Sequence, residues 1–294
     1  MLYRIRHVTR FDYAQPAAFA RCNLRLKPIL WSGQEVLDYA LSVEPGGRVF
    51  PARAEAGLAN VVRLVLEVPT STLTIESTAR VRVDRPIPMP MASDPSLAAI
   101  ARLARESRDV SPASPAAYLF PSQQIPLDPA IAAWCAPDLA PERGILEAAY
   151  ALATRIQREF DFDPSATLVD TSPRAAFDKR RGVCQDFAQI MISGLRAAGL
   201  PAAYVSGYLR TLPPPGQPRL VGADATHAWV LVWAGPDLGW VGVDPTNGIW
   251  MAEDHVVMAI GRDYAEIAPI DGIMLGSGAQ DLHVSVDVEP LDDL

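Results

Sequence analysis

Cysteine is scarce in this chain of 294 residues, and the three present, Cys22, Cys135 and Cys184, stand far apart. With no CxxC pair and no Cys/His ligand spacing, neither a disulfide framework nor a structural zinc site is indicated. A metal-dependent hydrolase fails on the same ground, no EF-hand-like loop offers calcium a seat, and no cofactor is implied. Positive charge is short as well: 26 Lys and Arg against 34 Asp and Glu leave a net charge of -8. Nucleic acid and anionic membrane select basic surfaces, so neither is expected as the main partner. Long apolar runs are missing, and the opening MLYRIRHVTRFDY interleaves charges with apolar residues where a leader would carry a continuous apolar stretch. Together these absences predict a soluble, cytoplasmic protein that acts on proteins, peptides or small molecules. What is present is ordinary globular composition, 49% hydrophobic and 20% charged, which suffices for a sizeable core.

Three regions are expected. Residues 1–85 read as β-structure, most clearly where Leu73, Ile75, Ala79, Val81 and Val83 alternate with polar residues and where Val62, Leu64, Leu66 and Val68 repeat the pattern. Turn residues at Pro45-Gly46-Gly47 and Pro69 divide this region into short antiparallel strands packed as a sandwich-like module. His7 there reads as an ordinary strand histidine. Residues 86–141 open in Arg85-Pro86-Ile87-Pro88-Met89-Pro90, a semi-rigid extended linker whose Arg85 ends the first region, and continue with short helices. One spans Leu97 to Glu106, capped by Ser93 or Asp94, and the other starts at Asp128-Pro129. Residues 142–294 form the third region, opened by a helix from Ile145 to Phe160 and a short one after Ser172-Pro173.

The third region is organised around Gly182 to Pro201. Phe187, Ile190, Met191, Gly194, Leu195 and Ala198 recur at helical spacing and give one small, apolar stripe to bury against a sheet, with Gly199 and Pro201 ending the helix. Cys184 falls at the first turn, where unpaired backbone N–H groups and the helix dipole favour a thiolate. A nucleophile and a buried core cysteine are both open readings at this point. Past the helix come a strand from Ala202 to Arg210, a loop rich in proline and glycine, and a hairpin of His227–Trp233 with Trp240–Thr246. A turn of that length allows His227 and Asp244 to be neighbours across the ladder, the face of each being set by a register that the sequence leaves open. Acyl transfer through a thioester needs these three roles: thiolate to attack, imidazole to move the proton, carboxylate to orient the ring. Singly, the histidine also reads as a packing residue and the aspartate as a turn-former.

GVCQDFA, PAAYVSGYL, DATHAWVLVW and GWVGVDPTN closely resemble the motif series of bacterial transglutaminase-like proteins, in the papain-like transglutaminase superfamily. IRHVTRFDYAQP and LRLKP are similar to the N-terminal β-domain of one bacterial branch, and HVVMAIGRDYAEIAPIDGIM to its C-terminal block. The resemblance implies an α+β fold: a papain-like transglutaminase core, with the nucleophile helix packed on an antiparallel sheet, preceded by a β-sandwich-like domain. It implies Cys184 as nucleophile, His227 as general base and Asp244 as orienting acid, acting on peptide or protein amides by hydrolysis or by transfer to an amine. Gln189 stands where the pattern has a histidine, and Ala56 and Ala59 replace an acidic residue and a glycine. Asp186, Arg262, Asp263 and His255 are expected in structural or peripheral roles, and Arg180 with Arg181 is the one basic pair near the nucleophile. The competing class is a non-catalytic peptide-binding module on the same fold, against which the complete Cys, His and Asp set argues.

Overall fold

The computed structural model describes residues 1–211, 225–276 and 278–291. Most of the proline- and glycine-rich loop expected after Arg210 lies outside them. Six strands come first: β1 (Leu2–Ala17), β2 (Phe19–Lys27), β3 (Gln34–Glu44), β4 (Arg48–Ala52), β5 (Leu58–Leu66) and β6 (Thr70–Val83). There follow α1 (Leu97–Arg105), α2 (Pro129–Cys135), α3 (Ile145–Glu159), β7 (Asp161–Phe162), α4 (Pro173–Lys179), β8 (Arg181–Gly182) and α5 (Cys184–Ala197). The remainder is β9 (Ala202–Leu209), β10 (Ala225–Trp233), β11 (Trp240–Asp244), β12 (Ile249–Trp250), β13 (His255–Gly261), α6 (Tyr264–Ile267), β14 (Ile270–Leu275) and β15 (Gln280–Leu291). The class is α+β with mostly antiparallel sheets.

Strand order departs from chain order. A four-stranded sheet runs β15-β1-β6-β3, and a nine-stranded one runs β12-β11-β10-β9-β13-β5-β2-β14, with β4 beside β5. Alternation in β6 does what its pattern dictates: Leu73, Ile75, Ala79, Val81 and Val83 are buried, while Arg82 reaches out to Glu35 at 2.8 Å. The first strands and the last are interleaved. β5 joins β13 through Ala59 and Leu58, β2 carries β14, and β15 lies along β1 from Leu2↔Leu291 to Tyr13↔Gln280. Tyr3, Ile5, Val81 and Val83 of the smaller sheet share one buried cluster with Tyr208, Val256 and Met258 of the larger. Where β13 has no β5 residue beside it, the Gln34 side chain takes the place of a strand: Nε2 donates to Val257 O and Oε1 accepts from Val257 N, both at 2.8 Å.

The helices assemble around α5. Asp128 and Ser172 cap α2 and α4 as expected, each accepting backbone N–H groups of the first turn. For α1 the cap is Ser96, whose Oγ accepts Ala99 N–H at 3.3 Å; Asp94 is spent on a preceding turn, accepting Met91 N–H at 2.9 Å. The expectation of a single buried stripe on α5 also needs correcting. Every residue from Asp186 to Arg196 is buried, because β9 and β10 cover one side and α2, α3 and α4 the other, whereas Ala198 is exposed. Gly194 is small for α2 and not for the sheet: a Cβ there would sit 2.3 Å from Cys135 Sγ. Two buried polar residues on this helix reach main-chain acceptors, Ser193 donating to Pro126 O at 2.7 Å and Arg196 Nη2 to Ala202 O at 2.8 Å and Arg262 O at 2.7 Å.

A fragment of residues 91–294 is expected to be insoluble or molten. It would strip β5 from β13 and leave β14 and β15 with no partner strand, exposing unpaired edges and the apolar face of Tyr208, Val256 and Met258. Circular dichroism and size-exclusion chromatography of the fragment check this; a soluble monomer with sharp cooperative melting would contradict it.

Candidate active site

The start of α5 is held by a local device that the sequence spells in Gly182-Val183-Cys184-Gln185-Asp186. Val183 sits at the cap position but has no side-chain acceptor, so the cap is supplied from inside the helix. Asp186 folds back and its Oδ2 accepts Val183 N–H at 2.8 Å and the Thr167 hydroxyl at 2.6 Å. Gly182 makes this possible, since a Cβ there would lie 2.5 Å from Asp186 Oδ2. Burial raises the Asp186 carboxyl, and the two hydrogen bonds oppose that shift. Cys184 follows as the first helical residue, partly exposed, unlike the buried Cys22 and Cys135.

β10 and β11 pair as a hairpin, with Val230 opposite Val243 and Trp233 opposite Trp240, around a turn closed by Ala234 N–H to Gly239 O at 2.8 Å. That register places His227 Nε2 2.8 Å from Asp244 Oδ2. Cys184 is close enough to the same imidazole to help raise it. The structure thus brings His227 and Asp244 together and places Cys184 near the same ring. Burial pulls the His227 imidazole down, but the hydrogen bonds to Asp244 and Cys184 and the attraction of both outweigh it, and the ring is raised well above its ordinary value. Asp244 is fully buried, which alone would raise it, yet donors from His227, His255 and Asn247 hold it well below the usual carboxylate range.

The Asp244 carboxylate faces two ways. Its Oδ1 accepts Thr246 N–H at 2.9 Å and Asn247 N–H at 3.3 Å, shaping the turn that Asp-Pro suggests, while Oδ2 faces the imidazoles. Asn247 Nδ2 adds a donor at 2.6 Å. A residue assigned only a peripheral role stands here too: His255, at the start of β13, lies with Nε2 3.4 Å from Asp244 Oδ2. Its Nδ1 accepts Ala252 N–H at 3.3 Å, so the ring proton sits on Nε2 and points to the carboxylate. Nothing in the hairpin pattern could have found it, because β13 reaches Asp244 only through the sheet order. Beneath these side chains Trp229 lies against both rings, 5.9 Å from His227 and 5.1 Å from His255, over Gly207, where a Cβ would meet Trp229 at 2.3 Å.

The basic pair expected near the nucleophile is not a free patch. Arg180 is folded over Trp134, Phe160 and Phe177, with ring centroids 5.0, 4.7 and 4.2 Å away, because its backbone is left-handed (φ 53°) at the end of α4. Arg181 pairs with Asp161 at 3.4 Å. Gln189 is 1% exposed and its Oε1 has no protein partner. Arg262 and Asp263 make structural contacts as expected, the first to Glu266 at 2.5 Å and the second accepting Gln124 N–H at 2.9 Å.

Residues 133–245 match the model of the transglutaminase-like superfamily core, and residues 3–82 match that of the bacterial transglutaminase-like N-terminal region. An uncharacterized protein of Mycobacterium tuberculosis is 34% identical over 303 residues, covering 99% of this chain and 93% of its own length. One from Mycobacterium leprae is 31% identical, covering 98% of each. A protein-glutamine gamma-glutamyltransferase of Pseudomonas aeruginosa is 42% identical over 100 residues, which is 33% of this chain and 15% of that protein. Among solved structures, a Cytophaga hutchinsonii chain described as a candidate cysteine protease superposes over 100% of this chain and 92% of its own with a TM-score of 0.74 at 22% identity, a likeness of fold. One family model falls on the N-terminal strands and the other on the segment with the Cys184 helix and the β10–β11 hairpin, and the chain belongs to the transglutaminase-like superfamily, in the branch with the bacterial N-terminal region.

Proposed function

We propose that this protein is a cysteine-dependent acyl-transfer enzyme acting on peptide-like amide or isopeptide bonds through a thioester. The observation that supports this reading best is the His227 imidazole held 2.8 Å from the buried Asp244 carboxylate, with Cys184 close enough to the same ring to help raise it. Cys184 gives its proton to His227 and its sulfur attacks the amide carbonyl. The oxygen that gains charge is met by the Cys184 backbone N–H, one of the unpaired donors at the start of α5. The His227 imidazolium then passes its proton to the departing nitrogen as the C–N bond breaks, leaving the thioester and a free amine. Water or a second amine, deprotonated by the now neutral His227, attacks the thioester, and the returning proton restores Cys184. Water gives hydrolysis and an amine gives transfer. Asp244 holds the imidazole in the tautomer this shuttle needs and stabilises its charged form.

Thiol reactivity separates this reading from a retained but inert fold. Burial pushes the Cys22 thiol up to about 11 and the Cys135 thiol up to about 12, so both are poor nucleophiles at neutral pH. Iodoacetamide is expected to alkylate Cys184 first; peptide mapping by mass spectrometry would contradict the assignment if Cys22 or Cys135 reacted faster in the folded protein.

Asp244→Asn is expected to lower acylation by about 10⁴-fold, the scale seen when a triad aspartate is amidated elsewhere. Stopped-flow thioester formation measures it, and a rate equal to wild type would reduce Asp244 to a turn residue.

The same substitution carries a pH signature in stability. Asp244 is depressed in the folded state, so its contribution is present above 3.8 and is lost as pH falls below that value. His227 is raised, so its contribution is complete below 6.5 and is lost as pH rises from there. The stability difference between wild type and Asp244→Asn in urea unfolding should therefore be largest between these two values and shrink on both sides. A flat difference across the range would deny that the two groups form an ion pair.

A further inference from the structure

The inner face of β1 carries Tyr3, Ile5, His7, Thr9 and Phe11, all buried. In register with β15, His7 faces Val286, Thr9 faces Val284 and Phe11 faces Leu282, and residues directly opposite share a face. Val286 is 1% exposed, yet Val284 and Leu282 are 50% and 55% exposed. The smaller sheet therefore parts from the rest of the molecule along its β15 edge. A cavity of ≈ 230 Å³ occupies the gap, with Phe11, Ile270, Leu282 and Val284 among its walls.

The polar lining has one hydrogen too many. His7 Nδ1 lies 2.6 Å from the Tyr208 hydroxyl and Nε2 lies 2.9 Å from Thr9 Oγ1. Burial pushes this imidazole down to about 4, so it is neutral and offers one donor and one acceptor. If Tyr208 donates to Nδ1, Nε2–H goes to Thr9 and the Thr9 hydrogen is left over; the other tautomer leaves the Tyr208 hydrogen instead. Either way one buried hydroxyl hydrogen has no acceptor within the network, which is rare for a buried donor. One wall leads from the cavity towards the candidate active site; Thr226 lines the cavity too, with its side chain on the opposite face of β10 from that of its neighbour His227. Tyr264 packs edge-on against Tyr204 at 6.3 Å, and Tyr204 is close enough to Cys184 to feel its charge.

We propose that this cavity is a substrate subsite: it takes one large, uncharged, apolar side chain of the peptide whose amide Cys184 attacks, and a peptide carbonyl accepts the spare hydroxyl hydrogen. The proposal rests on the acyl-transfer reading for its placement in the reaction. Leucine and phenylalanine side chains suit the walls. A charged side chain would leave water without finding a counter-ion, since the lining residues carry no formal charge.

The test uses the full chain with Cys184→Ala, which prevents turnover, and fluorescein-labelled Gly-Xaa-Gly-Gly peptide amides with Leu, Phe, Gly, Asp or Lys at Xaa, read by fluorescence anisotropy. Leu and Phe peptides are expected to bind at least about tenfold more tightly than the other three, the scale of a filled apolar pocket. Val284→Trp and Leu282→Trp, both at half-exposed positions, fill the gap and should bring the ratio close to one. Equal affinities across the panel, or no measurable binding of the Leu and Phe peptides, overturn the proposal. So does a preference that survives in either Trp variant when circular dichroism shows it folded. Wild-type protein that shows the preference but never forms a thioester would sink the acyl-transfer reading and leave the peptide pocket standing.

Discussion

A carboxylate with no access to water governs this structure. Asp244 is fully buried and still ionised, and such a group persists only where donors replace its hydration. Five are supplied: two imidazole nitrogens, the Asn247 amide and the Thr246 and Asn247 backbone N–H groups. Those donors come from the ends of β10 and β13 and from the turn after β11. Seating the charge thus fixes three strand ends against one another, and His227 is aimed as a consequence. Removing one donor would leave the charge undersolvated.

The site is framed by chain segments that are remote in sequence. The sheet that carries His227 and Asp244 continues through β13 into β5 and β2, so the N-terminal strands share the backbone hydrogen bonding of the hairpin's own sheet. Arg85, at the head of the proline-rich stretch, strengthens that union: its Nη1 donates to Ala252 O and His255 O, both at 3.1 Å, and burial pulls its guanidinium down to about 10. The chain leaving the smaller sheet is therefore pinned beside the histidine that supports Asp244.

Much of this was legible in the residues. Alternation in β6, the caps at Asp128 and Ser172, and the hairpin of β10 with β11 follow from local rules, and local rules are what a sequence displays. Cys184, His227 and Asp244 were legible for the same reason, since one helix start and one hairpin bring them together. His255 was not, because its proximity to Asp244 depends on β9 standing between β10 and β13. Arg180 misled for a related reason: as text it is half of a basic pair, but its left-handed backbone turns the guanidinium onto three rings contributed by α2, α4 and the end of α3. α5 resembled an amphipathic helix because Ser193 and Arg196 look outward-facing until their main-chain acceptors are seen. Side-chain identity is local, whereas acceptors come from the tertiary fold.

The pairing of β1 with β15 has a kinetic meaning. Leu2 cannot meet Leu291 until nearly all the intervening chain has been positioned, and β1 is also the strand against which β6 is laid. Contacts between such distant residues must be reached by closing very large loops before any of their stabilisation returns, the circumstance that slows folding most. Until that closure the β1 face of Tyr3 and Ile5 lacks the part of its cover that Val286 and Val288 supply. The interleaving that makes the finished molecule continuous thus rests on contacts between the two ends of the chain, the kind that slow assembly.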